Sequence, residues 1–251
     1  MSLGRVYIPL GFLTYAHNEE ASSKPNRRER TIATMLESSR PKLPNEPSIQ
    51  KWQQTFRDMG AEWEYNGGDV CALYTLSGKV SDYYFNSEVI SKNPQMLSSL
   101  CREVYLPELQ RLKISVDLVA SYPPYGVAFA NSLAQALGVG SCFISSLSSP
   151  NIEQEVNKGT RILAVADDIF SGSSLVKTIQ AALVKQCKVV PVVFAFGNFS
   201  GRASLEGFDI FSVINRRVEL FDVADSPLVA RGVRPVNARE HWGQLFAPGK
   251  A

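Results

Sequence analysis

Histidine and cysteine are scarce. The 251 residues hold two histidines, His17 and His241, and four cysteines, at positions 71, 101, 142 and 187. A zinc site needs three or four such ligands at short spacings, which these positions do not offer. The cysteines are also too sparse for a disulfide-stapled secreted domain, and they fit reduced thiols in a cytoplasm. Neither sign of charge is in excess, with Lys+Arg 26 against Asp+Glu 24, so no general affinity for nucleic acid or other polyanions is implied. Long apolar runs are missing too. The stretch from Val189 to Phe196, interrupted by Pro191, has the length of a strand and cannot cross a bilayer. No basic-then-apolar leader opens the sequence. The expectation is a soluble, cytoplasmic protein with no nucleic-acid and no membrane partner, long enough for one large α/β domain with an appendage.

Against these absences one stretch stands out, GTRILAVADDIFSGSSLVKTIQAALVKQC, from Gly159 to Cys187. Arg161 to Ala166 is an apolar run that stops at two carboxylates, as a buried parallel strand does at the sheet edge. Asp167 and Asp168 are thereby placed at a strand's carboxyl end. A small, hydroxyl-bearing loop follows, Ser171, Gly172, Ser173 and Ser174, and then apolar residues at helical spacing: Leu175, Val176, Ile179, Ala182 and Leu183. A strand-to-helix loop of this kind aims backbone N–H groups and the positive end of a helix at one small volume, which suits a phosphate. In open α/β sheets ligands bind at that edge. Two carboxylates would repel a bare phosphate, but they accept hydrogen bonds from sugar hydroxyls and hold magnesium through its waters. The combined cradle therefore suits a ribose 5-phosphate. Taken alone, the pattern also describes a solvated strand end with an Asp or Ser helix cap.

The rest of the chain supplies further units. Residues 1–47 read as an N-terminal arm and linker, with a basic cluster at Arg27, Arg28 and Arg30 and a short helix over 29–38. Ser48 caps a predicted helix that buries Trp52, Phe56 and Met59 and stops at Gly60. Short aromatic strands follow, punctuated by NGG and SGK, and place Tyr74, Tyr83, Tyr84 and Phe85 beside Ser77, Lys79 and Ser81. Such flat surfaces next to polar groups could hold a base; an ordinary aromatic core is the other reading. A helix is predicted over 94–112, with a break or kink at Pro107. A strand over 114–120, the loop SYPPYG and a helix from Val127 to Leu137 repeat the strand–loop–helix pattern. A strand over 142–146, a buried strand KVVPVVFAF and a last strand with Phe208, Ile210 and Ser212 alternating complete the set. The tail, 222–251, is expected to dock on the body through Trp242, Leu245 and Phe246.

The segment VADDIFSGSS resembles the ribose-phosphate signature of the type I phosphoribosyltransferases, with the glycine one place early, at Gly172, and Ser173 where the family usually has glycine. YTLSGKVSDYYFN resembles the N-terminal motif of the orotate phosphoribosyltransferases, with Leu76 where many members have a lysine. The resemblance spans roughly residues 50 to 220. It implies an α/β fold, a parallel sheet flanked by helices with a small N-terminal hood, over 48–221. It implies transfer of ribose 5-phosphate from phosphoribosyl pyrophosphate to orotate or a related base, with release of pyrophosphate. Magnesium would be the cofactor, bound mainly through the diphosphate and not by direct protein ligands, and a homodimer the assembly. Asp167 and Asp168 would hold the ribose and stabilise a cationic sugar, and Ser171, Gly172, Ser173 and Ser174 the 5-phosphate. Ser121, Tyr122, Tyr125 and Gly126 would serve pyrophosphate, and Lys79, Tyr84 and Phe85 the base side. Two departures stand against this. The loop between Phe143 and Asn157, expected to be the mobile catalytic loop, holds no basic residue. Gly197 and Asn198 occupy the place of a family Asp-Arg pair, leaving Arg202 as the nearest cation. A catalytically weak or inactive ribose-phosphate or nucleotide-binding protein on the same fold is the alternative.

Overall fold

The computed structural model describes residues 46–74, 77–124, 126–145 and 150–246. The expected arm, the basic cluster at Arg27, Arg28 and Arg30, the helix over 29–38, Leu76 and Tyr125 lie outside the described residues. Helix α1 (Glu46–Asp58) buries Ile49, Trp52 and Phe56 on one face. It begins two residues before Ser48, which therefore sits in the first turn, where Glu46 faces the positive end of the helix dipole. Gly60, at φ +68, turns the chain back.

Four short strands follow: β1 (Glu62–Glu64), β2 (Val70–Tyr74), β3 (Lys79–Ser81) and β4 (Tyr83–Phe85). Helix α2 (Ser87–Ser91) is capped by the Asn86 side chain, which accepts from the Glu88 N–H. Pro107 does not end the next helix. Helix α3 (Pro94–Leu100) passes into a π-helical turn, Cys101–Tyr105, and on into α4 (Leu106–Leu112). Proline lacks a donor and crowds the carbonyl four residues back, and the wider turn ahead of it lets the chain continue. The fully buried Tyr105 hydroxyl in that turn donates to the Ala195 carbonyl at 2.7 Å.

The main sheet is built from β5 (Leu118–Ser121), β6 (Gly140–Phe143), β7 (Arg161–Ile169), β8 (Lys188–Val189), β9 (Val192–Asn198), β10 (Ser204–Leu205) and β11 (Phe208–Asn215). The order across it is β10-β11-β9-β7-β5-β6, with β8 beside β7. All pairs are parallel except the edge pair β10 and β11. Helices α5 (Val127–Leu137) and α6 (Ser173–Val184) supply crossovers. Strand order reverses at β5, so the carboxyl ends of β5 and β7 flank the switch point where such sheets bind ligands.

The two faces of the sheet differ in side-chain size. One carries Phe194, Phe196, Phe211 and Val213 against α1 and the α3–α4 helix. The other is lined by Ala164, Ala166, Val193 and Ala195, whose small side chains let Leu175 and Ile179 of α6 approach closely. The last strand keeps the alternation expected of Phe208 and Ile210, and its opposite face is apolar as well. Phe208 and Ile210 pack on the alanine side while Phe211 and Val213 are buried on the aromatic side, because both faces are covered.

The C-terminal segment enters the hood. There β12 (Phe221–Asp222) and β13 (Arg234–Asn237) flank the hairpin in the order β12-β3-β2-β13, and β1 pairs with β4. Trp63, Val70, Ala72, Val80, Val236 and Leu245 form a separate apolar cluster. The buried Trp63 indole N–H donates to the Leu245 carbonyl at 2.7 Å, and Trp242 donates to the Gly60 carbonyl at 3.1 Å. Trp63→Phe keeps most of the ring but leaves that carbonyl without its donor. Denaturant unfolding is expected to show a loss of about 1–3 kcal/mol.

Candidate active site

Strand β7 continues three residues past Ala166, so Asp167 and Asp168 lie within its last turn of pleat, Asp168 opposite Gly197 of β9. The chain then turns through Ser171 and Gly172 into α6. Gly172 adopts φ +81, and a Cβ there would lie 2.8 Å from the Leu205 methyl carbons, so backbone conformation and space both require glycine. Ser171 Oγ accepts from the Ser173 N–H at 3.3 Å, and the buried Thr178 hydroxyl donates to the Ser174 carbonyl at 2.9 Å. The loop is thus held by its own hydroxyls, while the helix start faces outward.

A cleft of about 970 Å³ opens over this edge. Asp167, Asp168, Ser171, Ser173 and Ser174 line one side. Tyr74, Lys79, Tyr84 and Ser87 line the hood side, and Phe170, Phe199, Arg217 and Arg239 also face it. The aromatic rings are in mutual contact: Tyr74 lies 4.7 Å from Tyr84 and 5.1 Å from Phe170, which lies 5.0 Å from Phe199. A flat apolar wall beside carboxylates and hydroxyls is the composition of a site for a ligand with one polar and one aromatic part.

The two carboxylates set the electrostatics. Burial pushes Asp168 well above the ordinary carboxylate range; the neighbouring Asp167 adds to this and Arg239 opposes it. Burial raises Asp167 as well, countered first by the Ser87 hydroxyl, which donates to its Oδ2 at 2.7 Å. Burial and the Asp168 charge hold the Tyr74 phenol well above its usual value. Glu88, next to Ser87, pairs with Arg239 at 2.8 Å and Lys92 at 2.8 Å, and these partners lower its pKa. One capped turn of helix, Asn86 to Glu88, therefore orients an acid of the sheet and a cation of the C-terminal segment.

Of the residues singled out from the sequence, Asp167, Asp168, Ser171, Ser173, Ser174, Lys79, Tyr84 and Phe85 line the cleft. Lys79 also pairs with Asp222 at 3.0 Å. Phe85 is largely core, 2% exposed and packed on Phe56 and Phe199. Gly172 shapes the loop from behind. Ser121, Tyr122 and Gly126 do not line this cleft. Ser121 is fully buried, Gly126 closes to 3.0 Å from it, measured from an added Cβ, and the Tyr122 ring carries Lys177 at 5.7 Å.

Asn198 is fully buried: its amide donates to the Arg202 carbonyl at 2.7 Å, and its oxygen accepts from Ser200 Oγ at 2.7 Å. Gly197 is fixed by packing, since a Cβ there would meet the Phe199 ring at 2.3 Å. Arg202 does not line the cleft; Arg217, bridged to Ser200, does. The 143–157 loop is anchored on both flanks by an Ile144–Ile152 bridge, with Ile152 fully buried and Glu153 and Glu155 exposed. Residues 146–149 are outside the described set.

Sequence reasoning missed Ser87, Glu88, Phe170, Arg217 and Arg239. The Asn-Ser-Glu start of α2 carried a cap signal. The two arginines carried none, because tertiary pairing places them. Among the described residues no three His, Cys, Asp or Glu side chains converge as metal ligands. Two adjacent carboxylates fit a magnesium ion that keeps its waters and arrives with a phosphate ligand.

Two outcomes are expected from this geometry. Gly172→Ala must adopt positive φ against Leu205, and is expected to lower stability by about 1 kcal/mol or more, read by scanning calorimetry. The folded-state pKa of Asp168 lies above its ordinary 3.8. Its contribution to stability is therefore complete below that value and lost as pH rises through the folded pKa. Asp168→Asn is expected to melt above the wild type at about pH 7, with the difference shrinking toward about pH 4 in a thermal scan.

No family model matches the chain. It is similar to the orotate phosphoribosyltransferase of Desulforamulus reducens, 27% identical over 164 residues, which cover 64% of this chain and 83% of the relative. It is 22% identical over 201 residues to the orotate phosphoribosyltransferase of Campylobacter jejuni, 73% of this chain and 95% of that one. Among solved structures, Mycobacterium tuberculosis orotate phosphoribosyltransferase superposes with a TM-score of 0.52 at 20% identity, covering 67% of this chain and 96% of that one. Leishmania donovani UMP synthase gives 0.57 at 18% identity, covering 77% of this chain but 41% of the synthase. With its reversing parallel sheet, its acid-then-serine edge on β7 and its hood, the chain has the fold of the type I phosphoribosyltransferases and resembles the orotate phosphoribosyltransferases among them.

Proposed function

We propose that the protein transfers ribose 5-phosphate from phosphoribosyl pyrophosphate to a ring nitrogen of orotate or a related base, releasing pyrophosphate. The observation that carries this reading is the meeting, in one cleft, of the acidic pair, the serine loop at the start of α6 and an aromatic wall of Tyr74, Tyr84 and Phe170. The 5-phosphate would take the N–H groups and hydroxyls of Ser171 to Ser174. Asp167 and Asp168 would accept from the ribose hydroxyls and stabilise positive charge as the sugar becomes oxocarbenium-like. The aromatic wall would exclude water and stack the base. Magnesium, when bound with the diphosphate, would neutralise part of its charge. Arg217 supports a base that carries an acidic group, since it faces the cleft where Arg202 does not. The printed activity of the orotate phosphoribosyltransferases it resembles supports the same substrate class; a cytoplasmic setting and a homodimer complete the proposal.

A second reading, binding of a ribose phosphate or nucleotide without efficient transfer, is favoured by the 143–157 loop, which has no basic residue and is anchored at Ile152. Pyrophosphate release from phosphoribosyl pyrophosphate and magnesium, measured with a panel of pyrimidine and purine bases, separates the two. Release with orotate or another pyrimidine is the expected result, and Asp168→Asn is expected to lower its rate about a hundredfold or more. Sugar-phosphate binding with no release from any base would leave the second reading, and no binding at all would remove both.

A further inference from the structure

The charged side chains in the described part of the 143–157 loop are all carboxylates, Glu153 and Glu155, and the acidic pair adds two more. Cations must enter the cleft from elsewhere. Three do: Lys79, Arg217 and Arg239. Lys79 is tied to Asp222, and Arg217 lies beyond the end of β11, beside Ser200. Arg239 differs in its placement. It follows β13, in the C-terminal segment that completes the hood, and Glu88 holds its Nε at 2.8 Å. The residue before Glu88 donates to Asp167 at 2.7 Å. Along β7 the order is Asp167, Asp168 and then the serine loop. Ser87 and Arg239 both come from the hood; Ser87 meets Asp167, the acid further along the chain from the serine loop, and Arg239 lines the same cleft and acts on both acids.

A ribose 5-phosphate with its phosphate in that cradle and its hydroxyls on the acidic pair directs C1 toward this hood side. We propose that Arg239 is a ligand-contacting residue that binds the anionic group carried at ribose C1, with Glu88 as its positioning residue. The C-terminal segment thereby supplies the cation that the 143–157 loop lacks. This rests on the placement of ribose phosphate proposed above. The shared ligand chemistry is an anion at C1: the diphosphate of the donor or the acidic group of a bound base.

Binding of phosphoribosyl pyrophosphate, ribose 5-phosphate and the orotate nucleotide to wild type, Arg239→Gln, Arg239→Lys and Glu88→Gln, each with magnesium, tests this by calorimetry. Arg239→Gln is expected to weaken phosphoribosyl pyrophosphate about tenfold or more and ribose 5-phosphate little, as loss of one charge-assisted contact predicts. Arg239→Lys is expected to restore part of the difference, and Glu88→Gln to show a smaller loss of the same kind. A loss for phosphoribosyl pyrophosphate without one for the orotate nucleotide assigns the contact to the diphosphate, and a loss for the orotate nucleotide alone assigns it to the acidic group of the base. Equal weakening of all ligands, or none, overturns the proposal. If the wild type binds no sugar phosphate, the underlying placement fails instead. Thermal melting of each variant identifies any that do not fold, and Arg239→Lys then carries the comparison.

Discussion

Two neighbouring carboxylates at the end of a parallel strand, largely enclosed by protein, are the constraint around which this molecule is arranged. A buried carboxylate loses hydration, and a second one beside it adds repulsion, so the pair persists only where other groups compensate. Compensation comes from two directions in the chain. The Ser87 hydroxyl comes from the turn after the N-terminal hairpin, and Arg239 from a segment more than a hundred residues away. The hood joins these sources through the β2–β13 pairing and the Trp63–Leu245 hydrogen bond, bringing its two parts over the same strand end.

The asymmetry of the sheet serves the same edge. Small residues on one face of β7 and β9 let α6 lie close, which fixes where its first turn ends up relative to the acids. Aromatic residues fill the other face, and their packing extends past the strand ends as Phe199 and Phe170. Phe199 has a consequence at the site: its ring occupies the space a side chain at residue 197 would need. Asn198 beside it is committed to closing the loop to Ser200 and Arg202. Gly197 and Asn198, which stand where the resemblance implies an Asp-Arg pair, have structural roles here, and the cleft takes its cations from the far end of β11 and from the hood.

The organising strand–acid–serine–helix unit was legible in the sequence because its chemistry is local. An apolar run, a charge change, small residues and a 3.6-residue period all lie within 29 residues of chain. The α5 unit and the aromatic hairpin were legible for the same reason. The interruption expected at Pro107 is present as a π turn over Cys101–Tyr105 just ahead of it, a form that sequence alone does not specify. The alternation of Phe208 and Ile210 was legible, but the apolar character of the opposite face, Phe211 and Val213, shows that both sides of the strand are covered. Arg217 and Arg239 were illegible: an arginine in a polar tail looks the same whether it faces solvent or is paired across the fold. Ser121 to Gly126 shows the reverse case. Its local pattern is that of a ligand loop, yet Ser121 is fully buried and does not line the cleft, whereas Asp167 and Asp168 at the end of β7 do.

The enclosed acids also bear on why such a site survives selection for stability. Held charged and empty, they oppose folding at neutral pH, and the hydrogen bond from Ser87 and the field of Arg239 recover only part of that cost. A ligand whose hydroxyls donate to the carboxylates supplies the missing partners, so the unfavourable term falls when the site fills and the difference appears as affinity. The carboxylates accept hydrogen bonds best when ionised, and they can stabilise developing positive charge only in that state. An arginine whose charge favours ionisation of both acids while it also pairs with Glu88 serves both requirements. Under the proposed function, the electrostatic cost at the end of β7 is the physical source of affinity for a polyhydroxylated group that develops positive charge.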